Sequence, residues 1–327
     1  SVSLMAMAFD KLGVPAVSLN AFQVAMHTTS VHGNARLKRI DTERIRRELE
    51  NHKIVVVTGF QGVNKYDDYT TLGRGGSDTT AVALAAALHA DACEIYTDVD
   101  GVYTADPRYV KGAKKLDEVT YNEMLELATL GAQVLHNRSV ELAKKYNVKL
   151  EVLSSFTGHS GTKVKGVAKR MEKTAVSSVA KDKDIARIAL VGVPNEVGTS
   201  FKVFSLLAQN HINVDIILQG VGHEEGKDIC FTVAEGDLKK AAELLASHKD
   251  ELRFTRLETN ADIAKVSVVG SGMINNPGVA AKLFEALYDA HININMISTS
   301  EIKISVLVDK KDADRAVQAV HDKFFAF

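Results

Sequence analysis

Short apolar runs alternate with helical patterns through the first half of the chain. The β-branched run from Ile54 to Phe60 is typical of a buried strand, and residues 82–88 have strong helix propensity without a breaker. Further helices are indicated at 42–51, 121–130 and up to Ala143, and a further strand at 148–153. Strands that alternate with helices predict a mostly parallel sheet covered on both faces.

The second half contains a repeat in which each copy reads β-α-β-β-α. Residues 188–194 align with 266–272, and residues 211–215 align with 291–295. The first copy has an additional strand at 252–257, whereas the second copy has no such strand before Phe327. A sheet that lacks one strand exposes an edge. The alternating residues 175–180 are predicted to supply that strand, which would place the first copy inside the second along the chain.

A glycine-rich stretch, TLGRGGSDTTA at residues 71–81, lies where a loop meets a helix. Ser77 and Asp78 are the predicted N-cap, and the free N–H groups of such an end bind anions. The three glycines Gly73, Gly75 and Gly76 allow a close backbone approach, and Arg74 adds a fork of donors for carboxylate or phosphate. A flexible loop with an ordinary cap is the alternative. No Gly-Lys-Ser/Thr follows at the spacing of a P-loop.

A second polar stretch, residues 94–108, reads as a short strand that runs into a loop rich in carboxylates and hydroxyls. Ligands bind at strand ends in α/β sheets. His32 could act as a base, but a single histidine beside a glycine is more often a hydrogen-bonded loop residue. The Gly270-Ser271-Gly272 stretch lacks the third glycine of a dinucleotide fingerprint.

Composition narrows the class of protein. The 327 residues carry a net charge of −1 and are 46% hydrophobic, with no general signature of nucleic-acid or membrane binding. No apolar run is long enough to span a membrane, and no signal peptide is visible. Cys93 and Cys230 fall in different predicted domains, which favours a reducing cytoplasm. No metal-ligand spacing is present, so any metal is expected to arrive with a nucleotide.

Five motifs together resemble the aspartate kinases of the amino-acid-kinase family: TTLGRGGSDTTA, TDVDGVYTADPR, FQGVNK, EMLELATLGAQVLHNRSVELA and ISTSEIKISVLV. The resemblance covers essentially the whole chain. It implies an α/β fold, a three-layer α/β/α sandwich followed by two ferredoxin-like (βαββαβ) ACT domains. The expected boundaries are 1–165 for the catalytic domain, 166–183 for a linker plus the completing strand, 184–260 for the first ACT domain and 261–327 for the second.

The resemblance also implies a segment before Ser1, with a Lys-x-Gly-Gly turn whose lysine contacts the transferring phosphoryl group and an acidic substrate contact. On this expectation residues 1–327 alone are nearly inactive, and aspartyl-phosphate formation by them would contradict it.

The implied reaction transfers the γ-phosphoryl group of MgATP to the β-carboxylate of L-aspartate. The implied catalytic residues are Arg74, which grips a substrate carboxylate, and Asp78, which orients the upstream lysine or binds the substrate ammonium. Gly75, Gly76 and Ser77 complete the substrate-binding set. The residues that match nucleotide-contacting positions are Thr97, Asp98, Tyr103, Thr104, Asp106, Arg108 and Gln133. Gln133 stands where the family commonly has a lysine, so that contact lacks a charge.

The ACT domains imply feedback inhibition by lysine, threonine or both, in a homo-oligomer that is at least a dimer through these domains. The expected effector-binding residues of the first copy are Asn195, Glu196, Val197, Gly198, Thr199, Ser200, Asn213, Asp215 and Gln219. Those of the second copy, from a neighbouring subunit, are Val279, Ala280, Asn293, Ile294, Ser300 and Glu301. Asn195 and Val197 replace the Asp and Pro that the family often has.

Two alternatives stay open from the sequence. Another amino-acid kinase that makes an acyl phosphate, such as one acting on glutamate, would share the glycine loop, although the tandem ACT-like tail argues against it. A catalytically inactive amino-acid sensor would also fit a chain without the upstream lysine.

Overall fold

A computed structural model describes residues 1–130, 134–166, 175–220 and 226–325 of the chain. The chain divides into two units. The first comprises Ser1–Tyr103 and Lys114–Lys173, and the second comprises Thr104–Ala113 and Thr174–Phe327. Gln133 lies outside the described residues.

The first unit is a mixed α/β structure. Its helices are α1 (Val2–Lys11), α2 (Glu43–Glu50), α3 (Gly76–Leu88), α4 (Tyr121–Thr129) and α5 (Asn137–Tyr146). Its strands are β1 (Ala16–Leu19), β2 (His27–Thr28), β3 (Leu37–Arg39), β4 (Ile54–Val57), β5 (Gln61–Val63), β6 (Tyr69–Thr71), β7 (Cys93–Thr97), β8 (Glu118–Thr120), β9 (Leu150–Ser154) and β10 (Thr162–Lys165).

These strands form a β1-β4 pair and two sheets, ordered β3-β2-β5-β6 and β7-β9-β10-β8. The pairs β1-β4, β2-β5, β7-β9 and β8-β10 are parallel, while β2-β3, β5-β6 and β9-β10 are antiparallel. The sheets are therefore mixed, because short connections such as the one between β5 and β6 allow only an antiparallel partner. None of the four residues of β4 is fully buried, contrary to the sequence prediction.

The second unit contains two four-stranded antiparallel sheets. Its helices are α6 (Thr199–Gln209), α7 (Leu238–Ser247), α8 (Lys249–Leu252), α9 (Val279–Asp289) and α10 (Ala313–Phe325). Its strands are β11 (Ser178–Asp182), β12 (Ile185–Val193), β13 (Ile217–Gln219), β14 (Lys227–Ala234), β15 (Arg256–Asn260), β16 (Ile263–Val269), β17 (Met296–Thr299) and β18 (Lys303–Asp309). The sheet orders are β13-β14-β12-β15 and β11-β16-β18-β17.

Strand β11 completes the second sheet from a position before the first copy in the chain. It pairs antiparallel with β16, from Ser178 opposite Val269 to Asp182 opposite Lys265. Along the sequence, the first copy thus lies between β11 and the rest of the second copy. The first copy has its own additional strand, β15, at an edge of its sheet.

Residues Thr104–Ala113 belong to the second unit although they follow the predicted nucleotide loop in sequence. Ala105 and Val110 are buried in the same core as Val179 and Val317. The Thr104 carbonyl accepts a hydrogen bond from the Val179 amide at 2.8 Å. This segment is therefore part of the core that supports the second ACT sheet.

Within the described residues, no helix has both the length and the apolar character needed to cross a membrane. Both cysteines are free thiols.

Candidate active site and effector site

The glycine loop (residues 70–78) turns into α3 through two positions that only glycine fits. Gly75 has a φ of 69°, in the left-handed region, and α3 begins at the next residue. A Cβ on Gly75 would lie 2.3 Å from the Cβ of His136, and one on Gly76 would lie 2.8 Å from the Cβ of Leu72. The loop therefore packs directly against residue 136.

The helix begins two or three residues earlier than predicted. Gly75 is the N-cap, so Ser77 and Asp78 lie within the first turn of α3. The left-handed turn at Gly75 reverses the chain before Ser77 is reached. An acidic side chain in the first turn still faces the positive end of the helix dipole.

Arg74 lies at the exposed tip of this turn, and Ser77 is exposed as well. Within the described part of the chain, Arg74 has no hydrogen-bond or ion-pair partner. A free guanidinium presents a planar set of donors that matches a carboxylate in two parallel hydrogen bonds. Arg74, the residue predicted to bind a carboxylate, is therefore accessible to a small molecule.

Asp78 is partly buried behind the loop. Burial raises the pKa of the Asp78 carboxyl above its usual range, although the His136 side chain and hydrogen bonds from the His136 N–H and the Ser77 hydroxyl lower it. Burial, followed by the charge of Asp78, also raises the pKa of the Cys93 thiol to about 11. A positive charge next to the partly buried Asp78 carboxyl would favour its ionised form.

His32 is held by hydrogen bonds to the strand before the glycine-rich turn. Its Nδ1 lies 3.3 Å from the Tyr69 carbonyl, and its own carbonyl accepts hydrogen bonds from the Thr71 backbone and hydroxyl. This arrangement agrees with a hydrogen-bonded loop residue, which was the preferred interpretation of the sequence.

Arg138, which the sequence interpretation left without a role, lies in the first turn of α5 and donates hydrogen bonds to the loops around Arg74. The hydrogen-bond partners of a single arginine at a helix start cannot be predicted from the sequence when they lie far away along the chain.

Three of the predicted nucleotide-contacting residues lie in the first unit: Thr97 ends β7, and Asp98 and Tyr103 follow it. The Thr97 hydroxyl donates to Asp98 at 3.1 Å, and the Tyr103 hydroxyl donates to Asp100 at 2.9 Å. Burial, together with the hydrogen bond to Asp100, raises the pKa of the Tyr103 phenol. The Tyr103 hydroxyl therefore has an internal acceptor, and its side chain is partly exposed.

The other three described residues of that set, Thr104, Asp106 and Arg108, lie in the second unit. The Thr104 hydroxyl is within 2.9 Å of Nε2 of His321, which is 2% exposed. The Arg108 guanidinium binds Asp106 through its Nε and Nη2 atoms. The six residues are thus divided between the two units, and three of them already have partners inside the second.

Seven of the nine predicted effector residues of the first copy lie at the start of α6, whereas Asn213 and Asp215 lie between the end of α6 and β13. Gly198, with a φ of 91°, precedes the helix, and Val197 is fully exposed. Thr199 donates to the carbonyls of Pro194 and Glu196, and Ser200 donates to Gln219 at 2.9 Å. The structure therefore brings residues 195–200 and Gln219 together at the start of α6, and it does not bring Asn213 and Asp215 to that end of the helix. Asn195 and Asn213 are exposed, and Glu196 forms an ion pair with Arg253.

Asp215 has an internal partner in the structure. Its carboxylate lies 2.5 Å from Nζ of Lys265, whose side chain is only 4% exposed. A second carboxylate, that of Asp182, lies 3.7 Å from the same ammonium group. The ammonium that Asp215 binds within this chain is therefore that of a lysine of the second ACT copy.

The predicted second-copy residues lie in three places: Val279 and Ala280 begin α9, Asn293 and Ile294 lie between α9 and β17, and Ser300 and Glu301 follow β17. Val279 is buried, and Ala280 and Ile294 pack against the second core. Asn293, Ser300 and Glu301 are exposed. In the residues described, no hydrogen bond or ion pair joins this second-copy set to the first-copy set.

In the described ranges, no three His, Cys, Asp or Glu side chains lie close enough together to hold a metal ion. Mg²⁺ in kinases keeps several waters and binds through one or two carboxylates plus the substrate phosphates, so a nucleotide would supply most of its ligands.

Comparison with known proteins identifies the domains. The amino acid kinase family matches residues 1–154, and the ACT domain family matches residues 187–252 and 266–324. The chain is 48% identical over 324 residues to the aspartokinase of Bacillus sp. (strain MGA3) and to aspartokinase 2 of Bacillus subtilis (strain 168), covering 99% of this chain and 79% of each relative.

Solved structures agree with this assignment. The structure of E. coli aspartokinase III in complex with aspartate and ADP (R-state) has a TM-score of 0.83 at 30% identity, covering 99% of this chain and 73% of that chain. The same enzyme in complex with lysine and aspartate (T-state) gives 0.79 with the same identity and coverage. The Clostridium acetobutylicum aspartate kinase gives 0.85 at 25% identity, again with 99% and 73% coverage. With an amino-acid-kinase domain, two ACT domains and relatives of this similarity over nearly its whole length, the chain belongs to the aspartokinase family.

Proposed function

We propose that this protein transfers the γ-phosphoryl group of MgATP to the β-carboxylate of L-aspartate to give 4-phospho-L-aspartate. The observation that carries the proposal is the exposed Arg74 guanidinium, which has no partner among the described residues and stands on a glycine turn at the start of α3. The related E. coli enzyme has been crystallised with aspartate and ADP, which supports both substrates.

The chemistry needs positioning more than proton transfer. A side-chain carboxylate has a reference pKa of about 3.9, so the nucleophile is already ionised at neutral pH and needs no general base. The difficulty is to bring this anion to a triphosphate, so catalysis rests on orientation and charge neutralisation. His32 is therefore not required as a base.

Each residue of the glycine loop has a defined task in this proposal. Arg74 binds a carboxylate of aspartate through two parallel hydrogen bonds. Ser77 donates to the same substrate. Asp78, held partly buried behind the loop, binds the substrate ammonium or orients an upstream lysine. As an anion it does not contact the phosphates.

The strand end after β7 is the proposed place of the nucleotide. Thr97 and Asp98 offer polar contacts there, and the Tyr103 ring offers a face for adenine or ribose. Thr104, Asp106, Arg108 and Gln133 complete the proposed set by resemblance. Mg²⁺ would neutralise charge on the β- and γ-phosphates when bound with ATP.

The direct test is a hydroxamate assay on the full-length protein that contains these 327 residues. Hydroxylamine traps acyl phosphates, so MgATP-dependent hydroxamate is expected with L-aspartate and not with L-glutamate. Hydroxamate with glutamate alone would show a different amino-acid kinase. Binding of amino acids without any acyl phosphate would show a sensor that has lost catalysis.

For regulation, we propose that end-product amino acids of lysine and threonine biosynthesis inhibit the enzyme at its ACT domains. The effector carboxylate would be held by the free N–H groups at the start of α6, where Gly198 opens the helix. Asp215 would pair with the effector ammonium, in exchange for or beside Lys265. The E. coli T-state structure contains lysine, which supports an amino-acid effector.

The second-copy residues would close this site from a neighbouring subunit, in a homo-oligomer that is at least a dimer. A site built from two chains links effector binding to subunit arrangement, because only a ligand with different affinities for two arrangements can shift them. Calorimetry with lysine and threonine, separately and together, identifies the effector. An effector bound in the catalytic cleft would contradict the proposal.

A further inference from the structure

Arg138 connects the glycine loop to a second loop of the first unit. Its Nη1 donates to the Leu72 carbonyl at 2.5 Å and to Oδ1 of Asn34 at 3.1 Å, and its Nη2 donates to the Ala35 carbonyl at 2.8 Å. Leu72 lies two residues before Arg74. The Arg138 guanidinium therefore joins the loop that carries Arg74 to residues 34–35. A backbone hydrogen bond joins the same two segments, because the Ala35 amide donates to the Thr71 carbonyl at 2.9 Å.

The environment of Arg138 indicates a geometric role. The side chain is half-buried, and burial lowers the pKa of its guanidinium, with a further lowering by the charge of Arg36. All three acceptors are neutral, and within the described residues no carboxylate forms an ion pair with it. A fork with several fixed donors can join two carbonyls and an amide at once, whereas the single ammonium of a lysine cannot reproduce that geometry.

The same helix start contacts the other side of the loop. The His136 side chain occupies the space that a Cβ on Gly75 would need. Burial raises the pKa of the Asp78 carboxyl, and His136 lowers it. The start of α5 thus contacts the glycine loop both before Arg74, at Leu72, and after it, at Gly75. Among the described residues the Arg74 side chain has no hydrogen bond or ion pair, so its position is set by the contacts of its loop, which include these and the bond from the Leu72 amide to the Phe60 carbonyl.

We propose that Arg138 is a positioning residue for aspartate binding: it holds the glycine loop so that the Arg74 guanidinium is presented to the substrate carboxylate. The expected effect on aspartate kinetics rests on the proposed function. The expected effect on the order of the glycine loop does not depend on that function. Displacing a binding group by about 1 Å can cost about a hundredfold in rate, so the loss of this anchor is expected to be large.

The kinetic test compares Arg138→Lys and Arg138→Ala in the full-length protein, with Arg39→Ala as the matched control at an exposed arginine of the same unit. We expect KM for aspartate to rise about tenfold or more in both Arg138 variants, with KM for ATP changed less than twofold. Guanidinium ion, well below denaturing concentration, should partly restore aspartate KM in Arg138→Ala and have no such effect on Arg39→Ala. A rise in KM for ATP with unchanged aspartate KM would overturn the proposal.

Hydrogen exchange separates the failure of this inference from the failure of the proposed function. In both Arg138 variants the amides of residues 73–78 should exchange at least tenfold faster, while those of residues 140–145 in α5 keep the parent rate. Unchanged exchange at residues 73–78 in a folded variant would overturn the positioning role, whether or not the parent protein phosphorylates aspartate. A parent without acyl-phosphate formation would instead refute the proposed function.

Discussion

The carboxylate of Asp215 lies 2.5 Å from the ammonium group of Lys265, so two residues of different ACT copies form an ion pair within one chain. The Lys265 side chain is almost fully buried, and its second carboxylate, Asp182, is farther away at 3.7 Å. A nearby core of Ile185, Ile216 and Ile263 joins elements of both copies. Asp215 therefore stabilises the second unit in addition to its proposed effector role.

The first prediction concerns Asp215→Ala. Because the variant removes the proposed partner of the effector ammonium, the inhibitory lysine concentration should rise at least tenfold, about 1.4 kcal/mol, with kcat nearly unchanged. Because it also leaves Lys265 with one distant partner, the free energy of unfolding should fall by about 1–3 kcal/mol. Inhibition assays and chemical denaturation measure the two effects.

The double variant Asp215→Ala with Lys265→Met separates the two roles. Without the buried ammonium the free energy of unfolding should recover toward that of the parent, whereas resistance to lysine should persist. Recovery of both properties would mean that Asp215 serves Lys265 alone. Unaltered inhibition in Asp215→Ala would contradict the effector role directly.

The second prediction concerns the pH dependence contributed by Asp78. Its folded pKa is raised, mainly by burial, so the folded state binds this proton more tightly than the unfolded state does. The contribution to stability is thus present below the unfolded pKa and is lost as the pH rises through the folded pKa. Asp78→Asn should be at least as stable as the parent at pH 7, with an advantage that shrinks as the pH falls.

The same substitution should reduce activity, because a neutral amide cannot pair with the substrate ammonium. We expect kcat/KM for aspartate to fall by about tenfold or more, in line with the loss of a charged hydrogen bond. Thermal unfolding between pH 4 and pH 7, together with steady-state kinetics, measures both changes. A variant that is less stable at pH 7 but fully active would contradict this account of Asp78.

The third prediction distinguishes two roles of Thr104. Its hydroxyl lies against the buried His321, so Thr104→Val should remove a buried hydrogen bond and cost about 1–3 kcal/mol of stability. If the hydroxyl also contacts the nucleotide, as the resemblance implies, KM for ATP should rise as well. A loss of stability with unchanged KM for ATP would limit Thr104 to the packing of the second unit.

The architecture could be predicted because its signals are periodic and repeated. The alternation at residues 175–180, combined with a second copy one strand short, indicated the strand that β11 forms against β16. The start of α3 was placed too late because a left-handed glycine gives no more sequence signal than a flexible one. The left-handed φ of Gly75 and its close contact with His136, far away in the chain, appear only in the structure.

The partners of individual polar side chains could not be predicted. Lys265 lies in an apolar strand, and nothing in its neighbourhood indicates that Asp215, in the other ACT copy, neutralises it. Arg138 likewise binds backbone carbonyls, which every residue possesses, so the sequence does not indicate which carbonyls accept its hydrogen bonds. The segment after Tyr103 looked like one continuous loop, yet Ala105 and Val110 are core residues of the second unit.

The central claim, that Arg74 grips the carboxylate of aspartate, is tested most directly by Arg74→Ala in the full-length protein. With Arg39→Ala as the control and the hydroxamate assay as readout, kcat/KM for aspartate should fall by roughly 10²–10⁴, as when a positioned donor or clamp is removed. KM for ATP should stay within twofold, and circular dichroism should match the parent. A loss of less than tenfold with the fold intact would contradict the assignment.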